Sequence, residues 1–296
     1  ATESFVASPE IVTALAISGK LSFNPSKDSI TMKDGNKFMF DAPIGSELPS
    51  EGFEDIDSSD FLAGNLNPNA EIIIDQDSKR LQKLEPFTAW NKKDMKDLRI
   101  LLKAEGKCTT DHVSPAGPWL KYRGHLENIS QNMYSGALNA YTQSTGEAIN
   151  TDTKENGDIY EVAKYYSSNA IDWIAVADEN YGEGSSREHA AMEPRFMGCE
   201  IVLAKSFARI AQTNLKKQGI LPLIFQNKSD YDKIEAFDTI STLNLNEFGP
   251  KTNISLSLKK PDGSTYIIKT IHTFSENQIS WFKAGSALNL IADQVN

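Results

Sequence analysis

Between a strand-like run at 171–177 and a helical pattern beyond it, the chain reads Asp178-Glu179-Asn180-Tyr181-Gly182-Glu183-Gly184-Ser185-Ser186-Arg187-Glu188-His189. The glycines admit backbone angles closed to other residues, and a helix starting at Ser185 or Ser186 would point free N–H groups at a negative group in front of it. Arg187 adds a planar, permanently charged fork that matches a carboxylate or phosphate. The stretch reads as an acid-binding corner. The same letters spell a plain capping box, Ser185 with Glu188 three positions on, in which the glycines are only turn residues. Other loop signatures do not fit. Arg187 stands where the dinucleotide fingerprint needs its last glycine, the phosphate loop has no lysine here, and the serines follow Gly184 too directly for a hydrolase elbow.

A second polar stretch, Gly106 to Pro118, is dense in turn residues and hydroxyls and carries Asp111 and His112. Arg123 follows it, as a further cation for an acid ligand or as an ordinary surface ion pair. His112 reads as a solvated loop histidine. His189 stands four residues after Ser185, one helical turn away, so a Ser–His couple and a buried structural histidine both fit. His125 and His272 have no partners at metal-ligand spacing.

These residues need a scaffold, and the apolar runs supply one. Arg99–Lys103, Ile171–Ala177, Glu200–Ala204 and Ile220–Phe225 read as strands, the last apolar enough to be buried on both faces. Helical spacing joins Ile159, Val162, Ala163 and Tyr166, then the run from the central motif to Met197, then Phe207 to Leu215 with Gly219 as the stop. Residues 254–258 and 266–271 alternate around Pro261-Asp262-Gly263 as a hairpin, and Trp281 to Ile291 reads as one closing helix. Tyr141–Gly157 reads as an exposed polar insertion. Upstream, Ser8-Pro9-Glu10 opens a helix that Gly19 stops, and 37–40 is a short strand candidate. The predicted class is α/β, with a barrel-like or layered sheet flanked by helices. The expected divisions are an opening segment over 1–40, a linker over 41–96 anchored by Arg80-Leu81 and Phe87–Trp90, and a second domain over 97–296.

Forty acidic against thirty basic residues give a formal charge of −10, which argues against nucleic acid or an anionic membrane as partner. No run approaches the roughly 20 apolar residues of a membrane span. Cys108 and Cys199 lack a nearby partner, so free buried thiols are expected rather than a metal site or disulfide framework. A first residue other than methionine suggests a processed or excised piece.

Four segments carry a family resemblance: Gly106-Lys107-Cys108-Thr109-Thr110-Asp111-His112, Lys121-Tyr122-Arg123-Gly124-His125-Leu126, the Gly182–His189 motif, and Lys205-Ser206-Phe207-Ala208-Arg209-Ile210. In this order they resemble the carboxyl-terminal part of mitochondrial-type aconitase. The opening helix looks like the end of that enzyme's third domain, and residues from about 97 onward look like its swivelling fourth domain of β/β/α type. The resemblance implies a hydro-lyase of the tricarboxylic acid cycle that interconverts citrate and isocitrate through cis-aconitate, using a 4Fe-4S cluster. It implies Ser185 as the base, Asp111 as an active-site acid, and Arg123, Ser186 and Arg187 as substrate-binding residues. The cluster's cysteine ligands belong to the earlier domains, so the isolated chain is expected to be inactive, with those missing domains as its partner in a protein that is monomeric when full length. The implied location is the mitochondrial matrix, or the cytoplasm for a bacterial source. A homoaconitase, an isopropylmalate isomerase small subunit and a non-enzymatic fragment stand as alternatives.

Overall fold

The four apolar strands read from sequence are parallel neighbours in one sheet, which the rest of the second half of the chain bends into a closed barrel. The computed structural model describes residues 6–45, 51–52, 62–65, 67 and 69–295, so parts of the expected 41–96 linker lie outside the described residues. The chain divides into two compact units, Ala1–Ala70 and Glu71–Asn296.

In the first unit, α1 (Pro9–Ser18) begins where expected. Ser8 Oγ accepts from the Ile11 N–H, proline fills the first turn, and Gly19 takes a left-handed φ of 68° to end it. Strands β1 (Ile30–Thr31) and β2 (Lys37–Phe38) form a short antiparallel hairpin.

In the second unit, β3 (Leu98–Lys103) leads through the short helices α2 (Thr110–Val113) and α3 (Leu126–Ile129) to two small hairpins. These pair β4 (Leu138–Asn139) with β5 (Ser144–Thr145), and β6 (Glu147–Asn150) with β7 (Glu155–Asp158). The insertion expected to be exposed is therefore partly ordered onto the body, with Ala148 wholly buried. Helix α4 (Ile159–Ser168), capped by Asp158, precedes β8 (Trp173–Ala177). Then come α5 (His189–Phe196), β9 (Cys199–Ala204), α6 (Arg209–Lys217) and β10 (Leu221–Phe225). Strands β11 (Thr239–Leu243), β12 (Ser255–Lys259) and β13 (Thr265–Ile271) complete the sheet, and α7 (Glu276–Ala284) and α8 (Ala287–Val295) close the chain.

The barrel order is β10-β13-β12-β11-β3-β8-β9. Pairs β3/β8, β8/β9 and β9/β10 are parallel, and the other four pairs are antiparallel. Strand side chains alternate between faces, so a strand buried on both needs an unbroken apolar run. Ile174, Val176, Ile201, Leu203, Leu221 and Leu223 fill the barrel with Leu256, Leu258 and Ile268, while Trp173, Ala175, Ala177, Val202 and Ala204 face a second cluster that includes Ala163 and Tyr166 of α4 and Ala191 of α5. Each fully buried large side chain contributes about 1.5–3 kcal/mol.

Three details differ from the sequence reading. The helix expected from Ser185 or Ser186 begins only at His189, with no side-chain cap, so the capping box is not formed. The expected single closing helix is two, broken at Gly285, where φ is 91° and a Cβ would stand 2.6 Å from the Thr88 carbonyl oxygen. Strand β11 carries no apolar run to announce it, because only Ile240 and Thr242 of its five residues turn inward.

Candidate functional site

Parallel strands put their carboxyl-terminal loops at one edge of a sheet, and ligand sites gather at such edges. Here β3, β8 and β9 deliver loops 104–109, 178–188 and 205–208 to the same edge. Backbone bonds tie them together: Ala104 N–H to Val176 O at 2.8 Å, Gly182 N–H to Cys108 O at 2.7 Å, Thr110 N–H to Glu183 O at 2.9 Å, and Tyr181 N–H to Ser206 O at 2.9 Å. The loop satisfies its polar groups against its neighbours, which is why it does not wind into a helix at Ser185.

Side chains brace the same corner. Lys205 Nζ lies 2.9 Å from Asp178 Oδ1 and the Gly106 N–H donates to Asp178 Oδ2 at 3.3 Å. Burial opposes ionisation of Asp178, but these donors hold its carboxyl below the usual carboxylate value. Tyr181 is buried, its hydroxyl 2.8 Å from that of Tyr134. Gly182 has φ of 77°, and a Cβ there would stand 2.3 Å from Ala211 Cβ on α6, so no other residue fits.

Beneath this loop is a cavity of about 220 Å³. Ser185, Ser186 and Arg187 line it with Thr110 of α2 and Arg209 of α6. Arg187 Nη1 donates to Asp111 Oδ1 at 2.5 Å and to Ser114 O at 3.0 Å, so α2 fixes one side of the guanidinium. Ser185 and Ser186 are exposed, and Thr110 Oγ1 is buried without a hydrogen-bond partner. Hydroxyls and a guanidinium are groups that can hydrogen-bond an anionic oxygen.

The structure thus joins Ser185, Ser186, Arg187 and Asp111. Arg123 sits apart from this cavity. Its side chain lines a shallow second hollow of about 660 Å³ with Lys79, Arg80 and Lys121. The two are linked through His189, whose Nε2 lies 3.0 Å from the Arg123 carbonyl oxygen. His189 therefore ties the motif to the Arg123 turn and is not coupled to Ser185. Leu81 bridges to Gly124 and Gln82 N–H donates to Gly124 O at 2.8 Å, while further along the chain the Trp90 ring lies 5.4 Å from that of Phe282. His112 Nδ1 lies 2.9 Å from the Lys107 carbonyl oxygen and caps its own helix.

Sequence reasoning missed Thr110, Ser114 and Arg209 as parts of the site. Arg209 was legible in one of the motif segments, at the start of a helix, whereas Ser114 matters through a carbonyl that no side-chain pattern reports.

Among the described residues no three His, Cys, Asp or Glu side chains gather to hold a metal ion. Cys108 and Cys199 are free and buried; burial pushes the Cys108 thiol up to about 12 and raises that of Cys199 also. A cluster ligand must be a thiolate facing its metal, so these two cysteines do not fit an iron–sulfur cluster. No helix among the described residues is long and apolar enough to cross a membrane.

Residues 98–228 match the aconitase C-terminal domain family. Over 294 residues the chain is 53% identical to the probable mitochondrial aconitate hydratase of Dictyostelium discoideum, covering 99% of this chain and 38% of that protein. It is 49% identical over 290 residues to the mitochondrial aconitate hydratase of Saccharomyces cerevisiae, covering 98% and 37%. It is also 50% identical over 301 residues to the mitochondrial homocitrate dehydratase of that yeast, covering 99% and 38%. Among solved structures, a 3-isopropylmalate dehydratase of Methanocaldococcus jannaschii aligns over 69% of this chain and 96% of its own, at 22% identity and a TM-score of 0.45. The chain spans under two fifths of the length of the curated relatives it matches.

Proposed function

Because this chain belongs to the aconitase family, as the part that carries the carboxyl-terminal domain, we propose that it supplies half of an active site for the reversible dehydration of citrate through cis-aconitate to isocitrate. The observation that carries this reading is the convergence of Ser185, Ser186 and Arg187 around one small cavity, with Asp111 paired to Arg187. Ser185, exposed at the cavity, takes the proton from the carbon next to a substrate carboxylate. Arg187 beside it favours the ionised hydroxyl and, held by Asp111 on one side, offers the rest of its fork to a substrate oxygen. Ser186 donates a further hydrogen bond. Arg123, in the neighbouring cationic hollow, grips a second carboxylate once the remaining domains close over it.

The 4Fe-4S cluster that this chemistry calls for would bind a substrate carboxylate and hydroxyl; neither Cys108 nor Cys199 fits as its ligand, and we assign it to the portion of the protein that this chain does not span. The same portion is the proposed partner. The relatives' names support a mitochondrial location, and the matrix is our reading of it. Residues 1–40 are taken as the tail of the preceding domain and 41–96 as the linker. A homocitrate-type substrate is the second reading, since the homocitrate dehydratase, at 50% identity, falls between the 53% and 49% of the two aconitate hydratases.

Reconstitution tests the reading. The purified chain should not hydrate cis-aconitate, and adding the cluster-bearing remainder should restore hydration. Turnover by the chain alone, or none by the reassembled protein, would refute it. Comparing citrate with homocitrate in the reassembled protein separates the two substrates.

A further inference from the structure

Glu193 is a charged residue type in a place that offers it no counter-charge. It lies on α5, is fully buried, and has one hydrogen bond: Ser114 Oγ donates to its Oε1 at 2.7 Å. Its Oε2 has no partner. None of the ion pairs among the described residues includes it. The surroundings explain why. Arg187 comes near only through Ser114, to whose carbonyl oxygen its Nη1 donates at 3.0 Å. Arg195, two residues on, is turned to Glu200 of β9 at 2.5 Å. Helix α6 packs on α5 and brings Lys216, but its ammonium is committed to Thr273 and Gln278. Helix α3 brings the exposed Glu127, and the turn Ser130–Asn132 brings Asn132, whose Oδ1 is likewise without a partner. Tyr181 is a buried phenol bonded to Tyr134.

An isolated carboxylate taken wholly out of water takes up a proton rather than remain charged. Burial holds the Glu193 carboxyl well above the ordinary carboxylate range. A proton on Oε2 turns one of two unpartnered acceptors in this region into a donor.

We propose that Glu193 is held in the folded protein as a neutral carboxylic acid and is a positioning residue for Arg187, acting through Ser114. It fixes the Ser114 hydroxyl, the Ser114 carbonyl fixes Arg187 Nη1, and Asp111 holds the same nitrogen from the other side. Because Glu193 carries no charge, Arg187 meets one carboxylate and not two, and keeps its attraction for an anionic ligand. That last consequence rests on the role proposed above for Arg187; the protonation state and the positioning do not.

Two measurements on the 296-residue chain test it without any turnover. The first compares urea unfolding of the wild type and Glu193→Gln from pH 5 to 8. A neutral acid in the folded state and a carboxylate in the unfolded state make wild-type stability fall as pH rises above the unfolded value near 4.5. The folding constant of the wild type relative to Glu193→Gln should therefore drop about tenfold per pH unit. A ratio independent of pH would overturn the neutral state. The second follows amide exchange across residues 183–188. Glu193→Ala and Ser114→Ala should each speed exchange there about tenfold, as loss of a buried hydrogen bond predicts, while the isosteric Glu193→Gln should not. If Glu193→Ala does not fold, Ser114→Ala carries the comparison. Unchanged exchange in the Ala variants that fold, or equal acceleration in Glu193→Gln, would overturn the positioning role.

Discussion

Replacing Gly182 by alanine probes the closest approach in the site, and two separate costs can be worked from the structure. The residue sits at φ of 77°, where a side chain costs about 1–2 kcal/mol. The added Cβ would stand 2.3 Å from Ala211 Cβ, well inside the ~3.5–4.0 Å of an ordinary carbon–carbon contact, so α6 or the loop must give way by roughly 1 Å. Overpacking of that kind costs about 1–3 kcal/mol, for a total of about 2–5 kcal/mol. Urea unfolding of the chain measures it. Ala211→Gly provides the internal control: alone it loses about 1 kcal/mol of helix stability, but in the double variant it removes the clash and leaves the backbone cost. The double-mutant cycle should show a favourable coupling of about 1–3 kcal/mol. A Gly182→Ala chain within about 0.5 kcal/mol of wild type, or a cycle with no coupling, would refute the reasoning.

Two further outcomes follow from the same geometry. In the complete enzyme, Arg187→Lys replaces a fork anchored by Asp111 and Ser114 with a point charge; loss of about 1.5–3 kcal/mol, or roughly 10–150-fold in kcat/KM, is expected from steady-state kinetics, and near-wild-type kinetics would contradict it. In the chain itself, Lys216 is buried on uncharged acceptors, and burial lowers its ammonium from 10.5 to about 8. The unfolded chain then binds one more proton than the folded chain between those values, so this residue's contribution makes stability rise from pH 8 to 10.5, by up to about 3 kcal/mol. The rise should be absent in Lys216→Met, and identical pH slopes for the two chains would count against it.

The parallel strands were legible because burial on both faces leaves an unbroken apolar signal, as in Trp173–Ala177 and Leu221–Phe225. Strand β11 was not, since Thr239, Ser241 and Thr242 follow tertiary demands: Thr242 Oγ1 donates to Asp94 at 2.9 Å and accepts from the Met95 N–H at 2.9 Å. The break at Gly285 was likewise invisible, because its cause is the approach of a segment some 200 residues away in the chain, whose Phe87 carbonyl accepts from Asn289 Nδ2 at 2.7 Å. In the site, local chemistry pointed to Ser185, Ser186 and Arg187. The pairing of Arg187 with Asp111 across 76 residues, and the separate hollow around Arg123, depend on how the loops dock. The helix start was misread for a related reason: Ser185 and Glu188 have the letters of a cap, but the loop's backbone is bonded to the 108–110 segment.

The most direct test is Ser185→Ala in the complete enzyme, with citrate binding and turnover measured together. Removing a general base should lower kcat by about 10²–10⁴-fold while citrate affinity changes only a few-fold. Wild-type turnover without the Ser185 hydroxyl would contradict its role as the base.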